Sequence, residues 1–277
     1  MTFGRGARRS HPSKLARAKL GHPAIAQLLG AIPSSADLSP HAPSILDQDG
    51  TGSCTAHSIC AGVATAAAVA GVELALPSPD VEYKVTRGLE RALAAPASTL
   101  LVPLTDDGAE LADAIWAMAT AGVCPMGAGV GGRHSDVDPA TVNDEADLAR
   151  LEEAATTIVT GDYRIEGSGQ NLSDQVAAAL AAGFPVYVGF FVDSAFEALQ
   201  PGQVAGAPDQ NDPNGGGHAV ILTGFSTAAD GTRTFTLRNS WGAGWCNGGT
   251  CLVGQAWLDA AWEFWVLDVT VKKGAAS

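Results

Sequence analysis

The spacing of apolar positions changes near the middle of the chain. In the first half they recur at helical intervals. Cys54 to Gly71 is small and weakly polar nearly all round, and Val81 to Ala94 follows with a helical pattern. Ala109 to Ala121 places Leu111, Ile115 and Met118 along one face and ends at Gly122, a natural helix stop. Asp144 to Thr156 is again amphipathic. A further helix starts at one of the N-cap choices in Asn171-Leu172-Ser173-Asp174 and ends at Gly183. Beyond it the pattern predicts strands over Val186 to Val192, Ala219 to Phe225, Thr234 to Arg238 and Phe264 to Val271. The segments Pro40 to Ser53, Cys124 to Pro139 and Gln200 to Gly217 are rich in turn residues and predict loops. The last of these has the length of loops that often serve function.

The order predicts an α+β protein without repeats, in which residues 1–32 are an N-terminal extension and residues 33–277 a single folded unit. That unit divides into a helical half, about 50–160, and a sheet-rich half, about 165–271, with a cleft between them as the expected site. Ile59 to Leu76, the longest weakly polar stretch, is interrupted by Glu73 and is too short and too rich in alanine for a membrane span.

Charge is distributed unevenly. The chain carries a formal −13, yet its first twenty residues hold Arg5, Arg8, Arg9, Lys14, Arg17 and Lys19 and no acid, so the remainder stands at −19. So acidic a body disfavours nucleic acid and anionic membranes as partners. The simple reading of the basic arm is a solvated tail. Docking onto the acidic body, a processed pro-segment and a tether to a partner are the alternatives. The arm lacks the apolar core of a secretory signal, which points to synthesis without export, in the cytoplasm or within an assembly in a bacterial or viral context. Five cysteines leave at least one thiol outside any intramolecular pair, and Cys246 and Cys251 are spaced to close a small disulfide loop or to remain reduced.

One set of residues supplies a complete chemistry. Cys54 stands at a helix start, where unpaired N–H groups and the macrodipole favour a thiolate. Gln48 precedes it in Gln48-Asp49-Gly50-Thr51-Gly52-Ser53-Cys54, and its amide together with the Cys54 N–H can stabilise an oxyanion. His218 opens the run His218-Ala219-Val220-Ile221-Leu222. Asn239 heads Asn239-Ser240-Trp241-Gly242, where it can orient the imidazole while Trp241 shields their bond. His57 is a rival base, but one turn into the helix it sits behind the thiol, as a packing histidine would. His11, His22, His41 and His134 lie in loops or tails without matching partners.

From about Pro33 to Val271 these features resemble the papain-like cysteine peptidases, in particular their bacterial-type branch. Gln48 lies six residues before Cys54, Gly52-Ser53-Cys54 matches the nucleophile motif, and His218-Ala219-Val220 and Asn239-Ser240-Trp241-Gly242 match the histidine and asparagine motifs. The resemblance implies a papain-like fold with a helical left half, an antiparallel β-barrel-like right half and the cleft between them. It implies a Cys54–His218–Asn239 triad, an oxyanion hole including Gln48, and hydrolysis of peptide bonds through a thioester. Gly108, in Asp106-Asp107-Gly108, resembles the segment that binds the substrate backbone, and Trp241 is assigned to the same substrate-binding wall. No metal or organic cofactor is implied.

Departures accompany the matches. Thr51 stands where secreted members carry a half-cystine, Thr55 where an aromatic residue is usual, and Cys246 where a glycine is usual. The extension is too short for the long helical inhibitory pro-domain of lysosomal relatives. Two other functions share the same residues. One is a non-catalytic papain-fold binding or structural component whose cleft is blocked by the basic arm or by the loop Gln200 to Gly217. The other is an acyl transferase that passes the thioester to an acceptor other than water.

Overall fold

The computed structural model describes residues 3–94, 103–147 and 157–272. In chain order the first elements are β1 (Ala7–Arg8), α1 (Pro12–Leu15), β2 (Lys19–Leu20), α2 (Pro23–Leu28) and β3 (Ser35–Asp37). Then come α3 (Cys54–Val69), α4 (Pro79–Ala94), β4 (Ala109–Glu110), α5 (Leu111–Ala121), β5 (Thr157–Ile165), α6 (Gly169–Ala181) and β6 (Val186–Val192). The last are α7 (Ser194–Glu197), β7 (Val204–Ala205), β8 (Gly216–Thr227), β9 (Arg233–Arg238), β10 (Thr250–Val253), α8 (Gln255–Ala260) and β11 (Glu263–Lys272).

Local chemistry sets several boundaries. The Ser78 hydroxyl accepts from the Val81 N–H and so caps α4, with Pro79 in its first turn. Gly122 ends α5 at φ 76°, a conformation that carries no Cβ penalty in glycine. The helix expected to start near Asn171 begins two residues earlier, at Gly169 after Ser168. Of the helix expected over Asp144 to Thr156, residues 144–147 are irregular and the rest lies outside the described residues.

Nine of the described strands form one sheet in the order β2-β5-β11-β6-β8-β9-β10-β7, with β3 added on β8, while β1 and β4 pair in parallel as a separate two-stranded sheet. The inner pairs of the large sheet are antiparallel, β2 and β7 join as parallel edges, and the described strands do not close a barrel. β8 pairs through its first half with β6 and through its second half with β3, and its pairing with β9 shifts register between Leu222 and Gly224.

The period-2 alternation of the central strands separates two cores. Val186, Val188, Phe190, Val220, Leu222, Phe264 and Val266 face the side covered by α6. Tyr187, Ala219, Ile221, Trp265 and Leu267 face α3 and α5. α3 reaches the sheet closely because its residues are small. A Cβ built on Gly62 would stand 2.3 Å from Leu267 Cδ1 and 3.1 Å from Ile221 Cγ2. Two polar contacts set the helix's rotation: Ser58 Oγ donates to the Ala219 carbonyl at 2.7 Å, and Tyr187 Oη donates to the Thr55 carbonyl at 3.2 Å.

The basic arm is not a solvated tail. Ala7 and Ile25 are buried in the two cores, β1 pairs with β4 and β2 with β5. Its cations meet acids of the body, as Arg5–Glu197, Arg8–Glu90 and Lys14 with Glu110 and Asp113. Apolar contact and charge together replace the expected hydration.

None of the five cysteines forms a disulfide, and Cys246 and Cys251 remain separate thiols. Cys251 is committed to β10 opposite Leu237 and buried in the sheet core, whereas Cys246 occupies a positive-φ turn position. Among the described residues, no helix is long and apolar enough to cross a membrane.

Replacing Gly62 with valine is expected to overpack the α3–sheet interface and to lower unfolding free energy by about 1–3 kcal/mol. A denaturant titration checks this: the midpoint should fall with little change in slope.

Candidate active site

Cys54 is the first residue of α3, next to the start of β8 across the α3–sheet interface. It is fully buried. The N–H groups of Ala219, Gly6, Ala7 and Thr55 surround its sulfur and favour the anion, but burial outweighs them and pushes the thiol up to about 11. The activated thiolate expected from the helix N-terminus is therefore absent in this state. The reason is the cover over the sulfur, since a helix start cannot offset the loss of water.

His218, also fully buried, bonds through Nε2 to Asn239 Oδ1 at 2.8 Å. Trp241 stacks on the imidazole, with ring centroids 4.7 Å apart and planes inclined by 26°, and Phe190 meets it edge-on at 5.8 Å. Nδ1 has no hydrogen-bond partner, so the ring makes no bond to the thiol. Burial lowers the imidazole to about 4; the Asn239 bond opposes that shift, while the nearby Arg5 and His57 add to it. The ring is neutral here, and the imidazolium that would lower the thiol is missing.

Gln48 is held from both ends of its amide. Oε1 accepts from Ser240 Oγ at 2.6 Å, and Nε2 donates to the Thr51 carbonyl at 2.9 Å. Its backbone N–H donates to the Ser240 carbonyl at 2.9 Å, tying the Gln48 loop to the segment after Asn239. Ser240 therefore positions Gln48, a role that its place in Asn239-Ser240-Trp241-Gly242 did not single out.

Gly108 faces the same cleft at φ 84°. Its N–H donates to Tyr83 Oη at 3.0 Å, Tyr83 Oη donates to Asp106 Oδ1 at 2.8 Å, and Asp106 Oδ1 accepts from the Gly52 N–H at 2.8 Å. This relay fixes the Gly108 wall to the turn before Cys54. Tyr83 and Asp106 were not legible as site residues, because neither carries a motif and their partners are backbone groups distant in sequence.

His57 lies outside this assembly. It bonds to Ser53 and, through Nε2, to Ser135 Oγ at 2.7 Å, and burial lowers it to about 4. Thr51, in place of a half-cystine, donates to the Gln48 carbonyl at 2.7 Å and contacts Ser53 Oγ at 2.6 Å.

The cover over Cys54 is the start of the chain itself. Phe3 stacks on Trp241 at 4.5 Å. The Gly4 N–H donates to the Asp49 carbonyl at 2.8 Å, and the Gly4 carbonyl accepts from Trp241 Nε1 at 3.2 Å. The Gly6 N–H donates to the Gly217 carbonyl at 3.0 Å, while its carbonyl accepts from the Ala109 N–H at 2.9 Å. A Cβ on Gly108 would stand 1.5 Å from the Gly6 carbonyl oxygen, and one on Gly217 1.9 Å from that of Ala7. Gly4 and Gly6 are equally constrained: a Cβ on either would meet backbone oxygens of Thr51 or Gly52 at 2.1–2.2 Å. Residues 3–8 thus form a strap along the whole site, touching Trp241, the Gln48 loop, Cys54, His218's strand and Gly108.

Comparisons with known proteins agree with this architecture. Residues 141–257 match the papain family cysteine protease model. An uncharacterized peptidase C1-like protein of Acanthamoeba polyphaga mimivirus is 27% identical over 243 residues, covering 83% of this chain and 71% of that protein. A cathepsin B-like protein of Giardia intestinalis is 28% identical over 215 residues, 74% of this chain and 62% of the relative's length. Among solved structures, xylellain, a cysteine protease from Xylella fastidiosa, superposes with a TM-score of 0.73 at 24% identity, covering 96% of both chains. Bromelain from Ananas comosus superposes at 0.58 with 16% identity, over 85% of this chain and 99% of that one.

Both buried imidazoles are neutral in the folded chain, whereas the unfolded chain protonates them near 6.5. Their contribution to stability is therefore complete above pH 6.5 and is lost as pH falls toward 4. Histidine NMR titration distinguishes the two. Displacing the strap with Gly6→Val should return His218 toward its ordinary value, because water enters and Arg5 leaves, while His57 stays near 4.

Proposed function

We propose that this chain is a thiol peptidase of the papain type, whose chemistry is carried by Cys54, His218 and Asn239 with Gln48 completing an oxyanion hole. The observation that carries this reading is the His218 Nε2–Asn239 Oδ1 bond at 2.8 Å under Trp241, which leaves Nδ1 free on a strand whose next N–H, that of Ala219, meets the Cys54 sulfur. In the open cleft, Nδ1 takes the thiol proton. The sulfur attacks the scissile carbonyl, and the oxyanion lies between Gln48 Nε2 and the Cys54 N–H. His218 then delivers the proton to the leaving amine, and water hydrolyses the thioester. Asn239 keeps the ring in the tautomer and orientation this requires. Gly108 and Trp241 form walls for the substrate backbone.

The closed strap favours a second element of the same reading: the chain as it stands is autoinhibited. The strap occupies the cleft without presenting a bond to be cut. The sulfur faces the N–H groups of Gly6 and Ala7, while the carbonyls of Gly4, Gly6 and Ala7 are turned to Trp241, Ala109 and Gly217. The blocked cleft is shared with the non-catalytic alternative, the loss of catalysis is not, and the blocking element is the arm rather than the loop Gln200 to Gly217.

Labelling with a thiol-directed epoxide, mapped by mass spectrometry, tests both elements. Intact protein should label Cys54 slowly and Gly6→Val rapidly. In the Gly6→Val background, His218→Ala should slow labelling by about 10²-fold or more, while His57→Gln leaves it largely unchanged. Gln48→Ala should lower kcat on peptide substrates by about 10²–10³-fold. Absence of a Cys54 adduct in folded Gly6→Val, with ready alkylation after denaturation, would overturn the assignment.

A further inference from the structure

The strap is an extended segment of chain lying in the cleft, so the side chains it carries show what each wall of the cleft accepts. Arg5 stands between Gly4, whose carbonyl accepts from Trp241 Nε1, and Gly6, which bonds to both Gly217 and Ala109. Its stem crosses β8 two residues before His218: a Cβ built on Gly216 would stand 3.2 Å from Arg5 Cδ and 3.7 Å from Arg5 Cβ. Its guanidinium pairs with Glu197, and both side chains are largely buried. Among the described residues, Arg5 is the one cation paired with Glu197.

The backbone of Glu197 is held without help from the strap. It is the last residue of α7, whose start is capped by Asp193 Oδ1 accepting from the Phe196 N–H at 2.8 Å. The Glu197 carbonyl accepts from Trp245 Nε1 at 3.1 Å. Phe196 stacks on Trp245, with centroids 5.4 Å apart, and meets Trp241 edge-on at 6.0 Å. Withdrawal of the strap therefore leaves a positioned carboxylate beside the tryptophans without its counter-charge. The neighbouring segment supplies no substitute, since residues 193–217 contain Asp193, Glu197, Asp209 and Asp212 and no lysine or arginine. A wall of one sign of charge attracts and orients side chains of the other.

The route of the proton tells which half of a substrate meets this wall. His218 delivers its proton to the leaving amine, and Trp241 lies over His218, so the Trp241–α7 side of the sulfur receives the leaving half. Gly108, toward the other end of the strap, receives the acyl half. We propose that Glu197 is a specificity-determining residue that selects substrates carrying arginine or lysine within the first two residues on the leaving-amine side of the scissile bond. The strap thus imitates the side chain of a substrate while withholding the bond. This inference rests on the peptidase reading above, but recognition by Glu197 can be measured apart from turnover.

The experiment uses two quenched fluorescent peptides that differ only in carrying arginine or glutamine at those two positions, with the cleaved bond located by mass spectrometry. The readout is the ratio of their kcat/KM values, which is independent of how many molecules have the strap withdrawn because both peptides meet the same population. Gly6→Val should prefer the arginine peptide by about tenfold. Adding Glu197→Gln should bring the ratio close to one, Glu197→Asp should keep part of it, and Glu197→Lys should turn the preference toward a glutamate peptide. Arg5→Ala, which weakens strap docking without adding a side chain, should give the same ratio as Gly6→Val and keeps the test independent of that variant's folding. Binding of the same peptides to Cys54→Ala combined with Gly6→Val, followed by fluorescence anisotropy, reads recognition without hydrolysis. A ratio near one in the open variants, or a preference that survives Glu197→Gln, overturns the proposal. If Gly6→Val neither hydrolyses peptides nor labels at Cys54, the peptidase reading fails and anisotropy decides the role of Glu197. Tighter binding of the arginine peptide, lost in Glu197→Gln, then keeps Glu197 as a peptide-recognition residue, whereas equal or absent binding withdraws it.

Discussion

The close approach of α3 to the sheet is the constraint on which the site depends. A helix built from alanine, glycine and other small residues lies against β8 and β11, with Gly62 admitting Leu267 and Ile221 where any side chain would collide. The Ser58 and Tyr187 bonds then set its rotation, so that its first residue faces Ala219 and the start of β8. Dispersion packing alone would tolerate sliding along the interface; the two polar contacts do not. Cys54 and His218 are thus positioned by two packed elements rather than by mobile loops.

The loops supply orientation. Ser240 holds the Gln48 amide and Asn239 the imidazole, so two adjacent residues organise opposite sides of the centre. Tyr83 and Asp106 tie the Gly108 wall to the turn before α3. Over this frame lies an arm whose cations match acids on the body, and its glycines fit between backbones that admit no side chain.

Much of this was legible in the sequence where the signal is local. The period of 3.6 gave α4 and α5, the β-rich runs gave β6, β8, β9 and β11, and the motif spacing singled out Gln48, Cys54, His218 and Asn239. Signals that depend on distant partners were not legible. β5 is placed by pairing along β11, β3 by joining the far half of β8, and β10 crosses a segment that composition offered as a disulfide loop. The basic arm was misjudged as a solvated tail because charge counts do not show where acids converge. Gly4 and Gly6 were the overlooked signal, since alternate glycines beside cations suit a chain squeezed between walls. The thiol's raised pKa has the same physical origin, the docked arm: a helix N-terminus favours an anion only while water or a cation can reach it.

The carbonyl of Gly6 occupies the Ala109 N–H, and Phe3 occupies the face of Trp241, surfaces that the proposed substrate site would otherwise offer to a ligand. Strap and ligand are therefore competitors inside one molecule. Any ligand's measured affinity is its affinity for the open cleft reduced by the fraction of molecules in which the strap is out, so a cleft open about 1% of the time binds about 100-fold more weakly than its walls allow. The strength of strap docking, set by residues that never meet the ligand, fixes how concentrated a substrate must be before this protein responds to it.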